Sequence, residues 1–343
     1  MKRVAVVPHV HGVGGMVSFR AKFTLGLQKR GFEVIHDLQR LMPDALLVIG
    51  GTRNLLGLMQ AKRRGVRIVQ RLNGMNWLHR KLHTGARHYL RSVYGNWNLN
   101  LIRMHIADHI VYQSEFSRDW WERVHGVAPV PNSVVYNGVD LTTYTPSMTF
   151  NVQPARFQLL LVEGSLAGGY EFGLESAVAL LDELNAAHRH ELRRPVELTI
   201  VGRVGETVQQ AWQQRTRNVI NWVGMLPPEG IPEMDRAAHL LYASDINAAC
   251  PNSVIEALAC GTPALAFDTG ALSELVTGDS GRVVPYGANY WNLEKPDISA
   301  LAAAAVEILL HQEKFRPAAR ARAEQAFGLD TMLDGYLRVL ERE

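Results

Sequence analysis

The sequence predicts an α/β protein built from two doubly wound, Rossmann-like domains. Short apolar runs, such as residues 4–7, 45–49 and 264–267, alternate with longer segments of helical periodicity. Polar or glycine-rich loops follow several of these runs, as ligand-binding loops do at the carboxyl edge of a parallel sheet. The length of 343 residues suits two domains of ordinary size.

The composition narrows the class of protein further. The chain is 47% hydrophobic and 20% charged, which excludes a disordered protein. Its net charge of +3 suits an anionic small molecule or an acidic membrane surface but is too weak to indicate nucleic-acid binding. Cys250 and Cys260 lack zinc-site spacing, so we expect reduced, buried thiols and a cytoplasmic protein. We expect no signal peptide and no membrane-spanning segment.

The first domain opens with a strand at 4–7, a glycine-rich loop at 9–15 and a helix at 16–30. Gly14 and Gly15 come where the strand gives way to the helix. They fit a phosphate cradle, because glycine lets backbone N–H groups approach an anion closely, but they fit an ordinary tight turn equally well. Residues 12–17 read GVGGMV and lack the dinucleotide pattern G-x-G-x-x-G.

A polar and aromatic stretch, residues 75–105, follows the strand predicted at 66–72 and the turn Asn73-Gly74. One interpretation is a loop and helix with a solvated surface. The other is an acceptor-binding face, since aromatic rings stack on sugars and arginine binds anions. His79 and His83 are four residues apart without the glutamate of a metalloprotease motif, so we predict no metal site there.

The second domain, predicted for residues 149–326, begins with a strand at 157–163 and a glycine-containing loop at 164–170. The N–H groups of Gly168 and Gly169 are candidates for anion binding. Arg203 follows the strand 196–201 and is the candidate cation of this sheet edge, although a simple surface arginine explains it as well. The first domain is predicted for residues 1–148, and a final helix at 327–343 is expected to pack back on it.

The stretch 245–276 combines a polar loop, a helix predicted at 253–260, a strand at 264–267 and a second short helix. Ser253 is the predicted N-cap, and Glu256 stands three residues later in capping-box position. Gly261 is the predicted end of the helix. Glu256 is either this capping residue or a carboxylate that accepts hydrogen bonds from the hydroxyl groups of a ligand.

The motif CPNSVIEALACGTPALAFDTGALSELV resembles the donor-site signature of retaining glycosyltransferases of family 4, which have the GT-B fold of two domains facing across a cleft. The resemblance implies that Glu256 holds the ribose of a nucleotide-sugar donor. It also implies that Gly15, Arg203 and the helix start at Asn252, Ser253 and Val254 meet the diphosphate. The sequence Asn137-Gly138-Val139-Asp140 resembles the end of the family's first domain.

The chain departs from the family pattern at several positions. The first glutamate of the signature corresponds to Ala248, and the usual arginine and lysine are missing from the loop 164–170. A histidine that lies near the reaction centre in many relatives corresponds to Asn73, with His79 as a neighbour. Asn73 and His79 are therefore the catalytic candidates.

The resemblance implies a metal-independent hexosyltransferase without a cofactor, which moves a sugar from a nucleotide-diphosphate sugar to an acceptor hydroxyl in polysaccharide or glycolipid synthesis. The acceptor would be a sugar, a polysaccharide or a lipid-linked molecule, with peripheral contact to the inner membrane face as an option. Two alternatives stay open: a non-catalytic binding or scaffold protein with a degenerate donor site, and a sugar epimerase, for which no convincing acid–base pair is evident. Arg316, Arg320 and Arg322 are expected on a solvated helix face, or on a membrane-surface patch.

Overall fold

The computed structural model describes residues 2–9, 12, 14–37, 42–82, 85–149, 154–166 and 171–341. The chain divides into two compact units. Unit 1 comprises Met1–Gly138 and Phe327–Glu343, and unit 2 comprises Val139–Ala326. Each unit has its own six-stranded sheet, in which all recorded strand pairs are parallel. The predicted α/β class with two doubly wound, Rossmann-like domains is confirmed.

Unit 1 has the strand order β2-β1-β3-β4-β5-β6. Its strands are β1 (Arg3–Val7), β2 (Glu33–Ile35), β3 (Ala45–Ile49), β4 (Arg67–Leu72), β5 (His109–Tyr112) and β6 (Asn132–Val134). Its first helices are α1 (Gly15–Lys29), α2 (Leu55–Arg63), α3 (Ala86–His105) and α4 (Glu115–His125). Every residue of β3 is buried, as expected for a parallel strand covered by helices on both faces.

Unit 2 has the strand order β12-β11-β10-β7-β8-β9. Its strands are β7 (Phe157–Ser165), β8 (Val196–Arg203), β9 (Ile220–Gly224), β10 (Leu240–Ala243), β11 (Ala264–Phe267) and β12 (Gly281–Val284). Its helices are α5 (Glu171–Ala186), α6 (Arg189–Leu192), α7 (Glu206–Arg215), α8 (Ile231–Ala237), α9 (Asn252–Ala259), α10 (Leu272–Leu275), α11 (Ile298–Leu310) and α12 (Gln312–Ala326).

The final helix, α13 (Leu329–Glu341), belongs to unit 1. Its apolar side, with Leu333 and Tyr336, lies in the core formed by α1 and the strands. Arg30 at the end of α1 pairs with Asp330 and Asp334 on its polar side. Burial of the apolar side supplies most of the stabilisation, because exposed ion pairs contribute little.

The division between the units falls at Gly138, earlier in the chain than the predicted residue 148. The segment after Gly138 is held within unit 2, where Arg320 donates hydrogen bonds to the carbonyl oxygens of Leu141 and Tyr144. The Tyr144 side chain is itself buried. These contacts assign residues 139–148 to unit 2.

The prediction of a solvated arginine face on α12 is wrong. Arg316 is only 9% exposed and donates to the carbonyl oxygen of Ala238. Arg320 also donates to Ala259, and Arg322 donates to Leu275. These arginines satisfy carbonyl groups at the ends of other elements, so neither a solvated face nor a membrane patch describes them.

The two cysteines are free and buried, as predicted. Burial raises the pKa of the Cys260 thiol to about 12, so it stays protonated at neutral pH. Among the described residues, none of the helices combines the length and hydropathy needed to cross a bilayer.

Candidate active site

Each sheet has one position where the chain reverses its direction of strand addition. In unit 2 the chain runs from β7 to β8 and β9 on one side and then returns to β10 on the other side of β7. In unit 1 the corresponding neighbours are β1 and β3. Ligands of doubly wound sheets bind outside the carboxyl ends of the strands at such switch points.

The helix α9 follows β10 at the switch point of unit 2, and no side chain caps its start. It begins at Asn252, with Pro251 as N-cap, so the predictions of Ser253 as N-cap and of Glu256 as capping-box partner are wrong. Pro251 is extended and has no side-chain acceptor for the first N–H groups. An uncapped helix start, at Asn252, Ser253 and Val254, suits an anion.

Glu256 lies in the second turn of α9 and is half-buried. Its negative charge raises the pKa values of Tyr144, Asp235 and Cys260, in addition to the larger effect of burial. Asp235 is fully buried, and neither of its carboxyl oxygens has a hydrogen-bond partner. Burial, together with the charge of Glu256, raises the pKa of Asp235 well above its usual value.

Two carboxyl groups meet between β7 and β10. Glu163 near the end of β7 accepts a hydrogen bond of 3.5 Å from the hydroxyl of Ser244, which directly follows β10. Asp245 is the next residue. Burial and the charge of Asp245 raise the pKa of Glu163 to about 8, and burial raises the pKa of Asp245 to about 6. The pair therefore retains a proton near neutral pH.

Arg203 ends β8 beside this pair of strands, in register with Ser165 of β7. Its side chain is exposed, and it makes no hydrogen bond or ion pair with any other described residue. Gly202 before it lets the strands approach closely, since a Cβ there would lie 2.1 Å from the carbonyl oxygen of Glu163. Gly168 and Gly169 lie outside the described residues.

In unit 1, Gly14 and Gly15 stand at the start of α1, on the connection that leaves β1. The φ angle of Gly14 is 139°, a conformation that favours glycine, and its carbonyl accepts hydrogen bonds from Val17 and Ser18. The first turn contains no acidic residue and no side-chain cap. The geometry thus leaves room for an anion at this turn.

Asn73, at the carboxyl end of β4, is fixed by a buried hydrogen-bond network. Its side-chain oxygen accepts from Arg71 at 2.8 Å and from Gln113 at 2.6 Å, and its carbonyl accepts from Trp121 at 2.7 Å. A guanidinium group can only donate, so Arg71 determines which way the amide faces. The Asn73 NH2 group makes no hydrogen bond within the described residues, so it is available as a donor.

Arg71 is 1% exposed and also donates to Asn137 at 2.8 Å. Its guanidinium carbon lies 3.9 Å from the centre of the Phe19 ring. Asn137 belongs to the Asn-Gly-Val-Asp turn, which therefore has a structural role as an anchor of Arg71. The cation is held by amide oxygens and an aromatic face in the interior of unit 1.

His79 lies in a short 3-10 helix and is 5% exposed. Burial and the nearby charge of Arg80 lower its pKa, so the ring is neutral at neutral pH. Its ring packs edge-on against Tyr89 at 5.2 Å, and no hydrogen bond joins it to Asn73. Among the described residues, no group of three or more His, Cys, Asp or Glu side chains is arranged to hold a metal ion.

Two features of these edges were missed at the level of sequence. One is the acidic pair of Glu163 and Asp245, and the other is the arginine beneath Asn73. The available signal was an acidic residue at the end of a buried apolar strand, at 163 and again at 245. Which strands become neighbours is decided by long-range pairing, so that signal alone could not join the two residues.

Comparisons with known proteins cover both units. A model described as "Glycosyltransferase Family 4" matches residues 2–143, and one described as "Glycosyl transferases group 1" matches residues 168–311. The D-inositol 3-phosphate glycosyltransferase of Gordonia bronchialis is 26% identical over 256 residues, covering 68% of this chain and 53% of that protein. The chain spans about half the length of the curated relatives it matches.

Solved structures share the fold at low identity. Sucrose-phosphate synthase from Thermosynechococcus elongatus gives a TM-score of 0.72 at 14% identity, covering 100% of this chain and 99% of that one. Anabaena Alr3699/HepE in complex with UDP-glucose gives a TM-score of 0.69 at 17% identity, covering 100% of both chains. With two Rossmann-like units, and with family models matching most of its length, the chain belongs to the glycosyltransferases of family 4.

Proposed function

We propose that this glycosyltransferase moves a hexose from a nucleotide-diphosphate sugar to an acceptor hydroxyl with retention of anomeric configuration and without a metal ion. The observation that carries the proposal is the switch point of unit 2. There the uncapped start of α9, the half-buried carboxylate of Glu256 on the same helix and the cation Arg203 at the end of β8 belong to one sheet edge. This set matches the diphosphate and the vicinal ribose hydroxyls of such a donor.

In this proposal the donor diphosphate lies at the start of α9, and Arg203 provides the charge that the family's missing arginine and lysine would have supplied. Glu256 accepts hydrogen bonds from the ribose. Preorganised donors of this kind stabilise the negative charge that develops on the departing diphosphate, which is often the largest contribution to the rate. The solved neighbour with UDP-glucose makes a uridine nucleotide the first donor to test.

Unit 1 is proposed to bind the acceptor, and its turn at Gly14 and Gly15 is proposed to bind a phosphate group. Asn73 presents an amide N–H to a sugar oxygen and has no lone pair available to take a proton. His79 is buried, neutral and packed against Tyr89, which favours a packing role over proton transfer. The name of the Gordonia relative indicates a phosphorylated polyol acceptor, so acceptors with an anionic group belong in the first panel.

A second candidate function is a non-catalytic binding or scaffold protein. Ala248 replaces the first glutamate of the family signature, and two carboxyl groups lie at the switch point where an anion is expected. Each unprotonated carboxylate repels a diphosphate. A chain in which this repulsion prevents donor binding would keep the fold and lose the transfer reaction.

The test is to incubate the full chain with UDP- and GDP-sugars, with and without EDTA, and with sugar, inositol phosphate and lipid-linked acceptors. Donor hydrolysis or transfer that persists in EDTA, with an axial or equatorial product matching the donor by NMR, supports the proposal. Calorimetric titration separates the second candidate, because a protein that binds no donor at up to millimolar concentration is not this enzyme.

A further inference from the structure

One region of unit 1 contains no acidic residue. Between residues 45 and 107 there are 11 of the chain's 36 lysines and arginines and none of its 33 aspartates and glutamates. The remainder of the chain is therefore acidic on balance, although the net charge of the whole is only +3. The region includes α2, β4 and α3, so the positive charge is concentrated on one part of one unit.

The outer face of α3 combines this charge with exposed apolar side chains. Five large residues on one side of the helix are between 38% and 67% exposed: Tyr89, Leu90, Val93, Tyr94 and Trp97. Arg87 and Arg91 flank them, are exposed, and make no ion pair with any residue that the structure describes. The opposite side of α3 is polar and buried, with Ser92 and Asn96, so the usual amphipathic pattern is inverted.

The exposed face continues onto α2. Leu56 is 74% exposed and Met59 is 44% exposed. A groove of about 230 Å³ lies between the two helices, and its lining includes the apolar residues Leu55, Met59 and Leu101 and the basic residues Lys62 and Arg63. Together these side chains form what we call the α2–α3 face: the exposed residues of α2 from Leu56 to Arg63 and of α3 from Arg87 to Trp97.

We propose that the α2–α3 face docks on the surface of an anionic lipid bilayer. Tyrosine and tryptophan rings prefer the interface between headgroups and acyl chains, and leucine, valine and methionine enter the acyl boundary. The arginines meet the anionic headgroups, and little negative charge opposes them, because residues 45–107 contain no acidic residue and the adjacent Asp108 is paired with Lys62. The charge and the apolar area thus favour the same partner.

Two other occupants fit less well. A second copy of the chain would place this face against itself in a twofold dimer, which brings like charges together. A nucleic acid would meet the arginines but would leave Leu56, Leu90 and Val93 without an apolar partner. The proposed membrane-binding surface is therefore the α2–α3 face and not the arginines of α12, because those arginines donate hydrogen bonds to carbonyl groups.

The test is cosedimentation of the full chain with phosphatidylcholine vesicles, with and without 30 mole per cent phosphatidylglycerol, at low and high salt. We expect binding to the anionic vesicles that weakens as salt screens the headgroups. Replacing Arg87 and Arg91 with serine should reduce affinity about fivefold for each arginine. The variant Leu90→Ser with Trp97→Ser should lose binding at both salt concentrations.

The matched control is Arg217→Ser with Val219→Ser, which removes an exposed arginine and an exposed apolar residue from unit 2. This control should bind like the unmodified chain, and circular dichroism should show that all variants are folded. Equal sedimentation with both vesicle types, no sedimentation, or unchanged binding by the α3 variants overturns the proposal. The assay does not depend on sugar transfer. Membrane binding can therefore be absent while the proposed transferase activity is present, and membrane binding can be present while that activity is absent.

Discussion

The carboxyl edges of the two sheets differ in the charge of the groups placed at the strand ends. At the edge of unit 1, a buried arginine holds the amide of Asn73, and the carboxyl groups nearest in sequence are Asp44 and Asp108. At the edge of unit 2, Glu163 and Asp245 lie on neighbouring elements and share a raised affinity for protons. The two sheets have the same parallel architecture, but one presents a fixed hydrogen-bond donor at its edge and the other presents a titratable acidic pair.

This difference shows that the fold determines where ligands bind but not the charge of the site. Strand ends and helix starts supply N–H groups in both units, because every doubly wound sheet has them. The side chains at each edge then determine whether it suits a neutral hydroxyl group or a diphosphate. In unit 2 the affinity of the edge for an anion depends on pH, because the acidic pair repels an anion only after the pair has lost its protons.

The largest expected effect comes from removing the cation of unit 1. Arg71→Met leaves the oxygens of Asn73 and Asn137 without their charged donor, and we expect a loss of about 2–4 kcal/mol in the free energy of unfolding. Urea denaturation measures this loss, and Arg53→Met, at an exposed position, is the control. Donor titration should be retained under native conditions, since unit 2 is unchanged. A variant as stable as the parent would contradict the structural role of Arg71.

Glu256→Gln tests the carboxylate of unit 2. Hydrogen bonds to a charged group contribute about 1.5–3 kcal/mol, so kcat/KM for the donor should fall roughly 10- to 150-fold, with unfolding free energy nearly unchanged. Steady-state kinetics with UDP-glucose measures the effect. Glu233→Gln on α8 is exposed and serves as the control. Unchanged donor kinetics in Glu256→Gln would remove this residue from the site.

The acidic pair makes donor binding pH-dependent. Its pKa values of about 6 and about 8 mean that the pair gains negative charge as pH rises through this range, and a nearby negative charge weakens diphosphate binding. We expect the donor KM to rise about tenfold from pH 5.5 to pH 8.5. Glu163→Gln should flatten this profile.

The same carboxyl groups affect stability with a defined sign. Because folding raises their pKa values, the folded state binds more protons than the unfolded state between about pH 4 and pH 8, and stability falls as pH rises through that range. Glu163→Gln should reduce this slope. A slope that is the same in Glu163→Gln as in the parent chain would show that folding does not raise the pKa of Glu163.

The smallest expected effect is that of Asn73→Asp. The carboxylate still accepts hydrogen bonds from Arg71 and Gln113, so the fold is kept, but the outward N–H donor is lost. We expect a fall in kcat of about 3- to 10-fold, as for one hydrogen bond of roughly 0.5–1.5 kcal/mol. A matched loss in Asn73→Ala with unchanged activity in Asn73→Asp would show that position 73 supports the network and does not meet the substrate.

Local signals in the sequence were sufficient for most elements. The strands β3 and β11 have their predicted bounds. The start of α9 was misjudged because a good capping residue, Ser253, follows a proline that already stands at the helix start. The α12 arginines were misjudged because their acceptors, such as the carbonyl of Ala238, are far away in the chain.

The sequence by itself determined the class of fold and the family, and it made Glu256 a candidate site residue, because periodicity, turn residues and one contiguous motif are local properties of the chain. Tertiary structure alone decided that Glu163 meets Asp245, that Arg71 supports Asn73 and that the apolar side of α3 faces outward. These pairings depend on which strands and helices become neighbours, and the free energy that selects neighbours comes from burial summed over the whole core. No short segment carries that information.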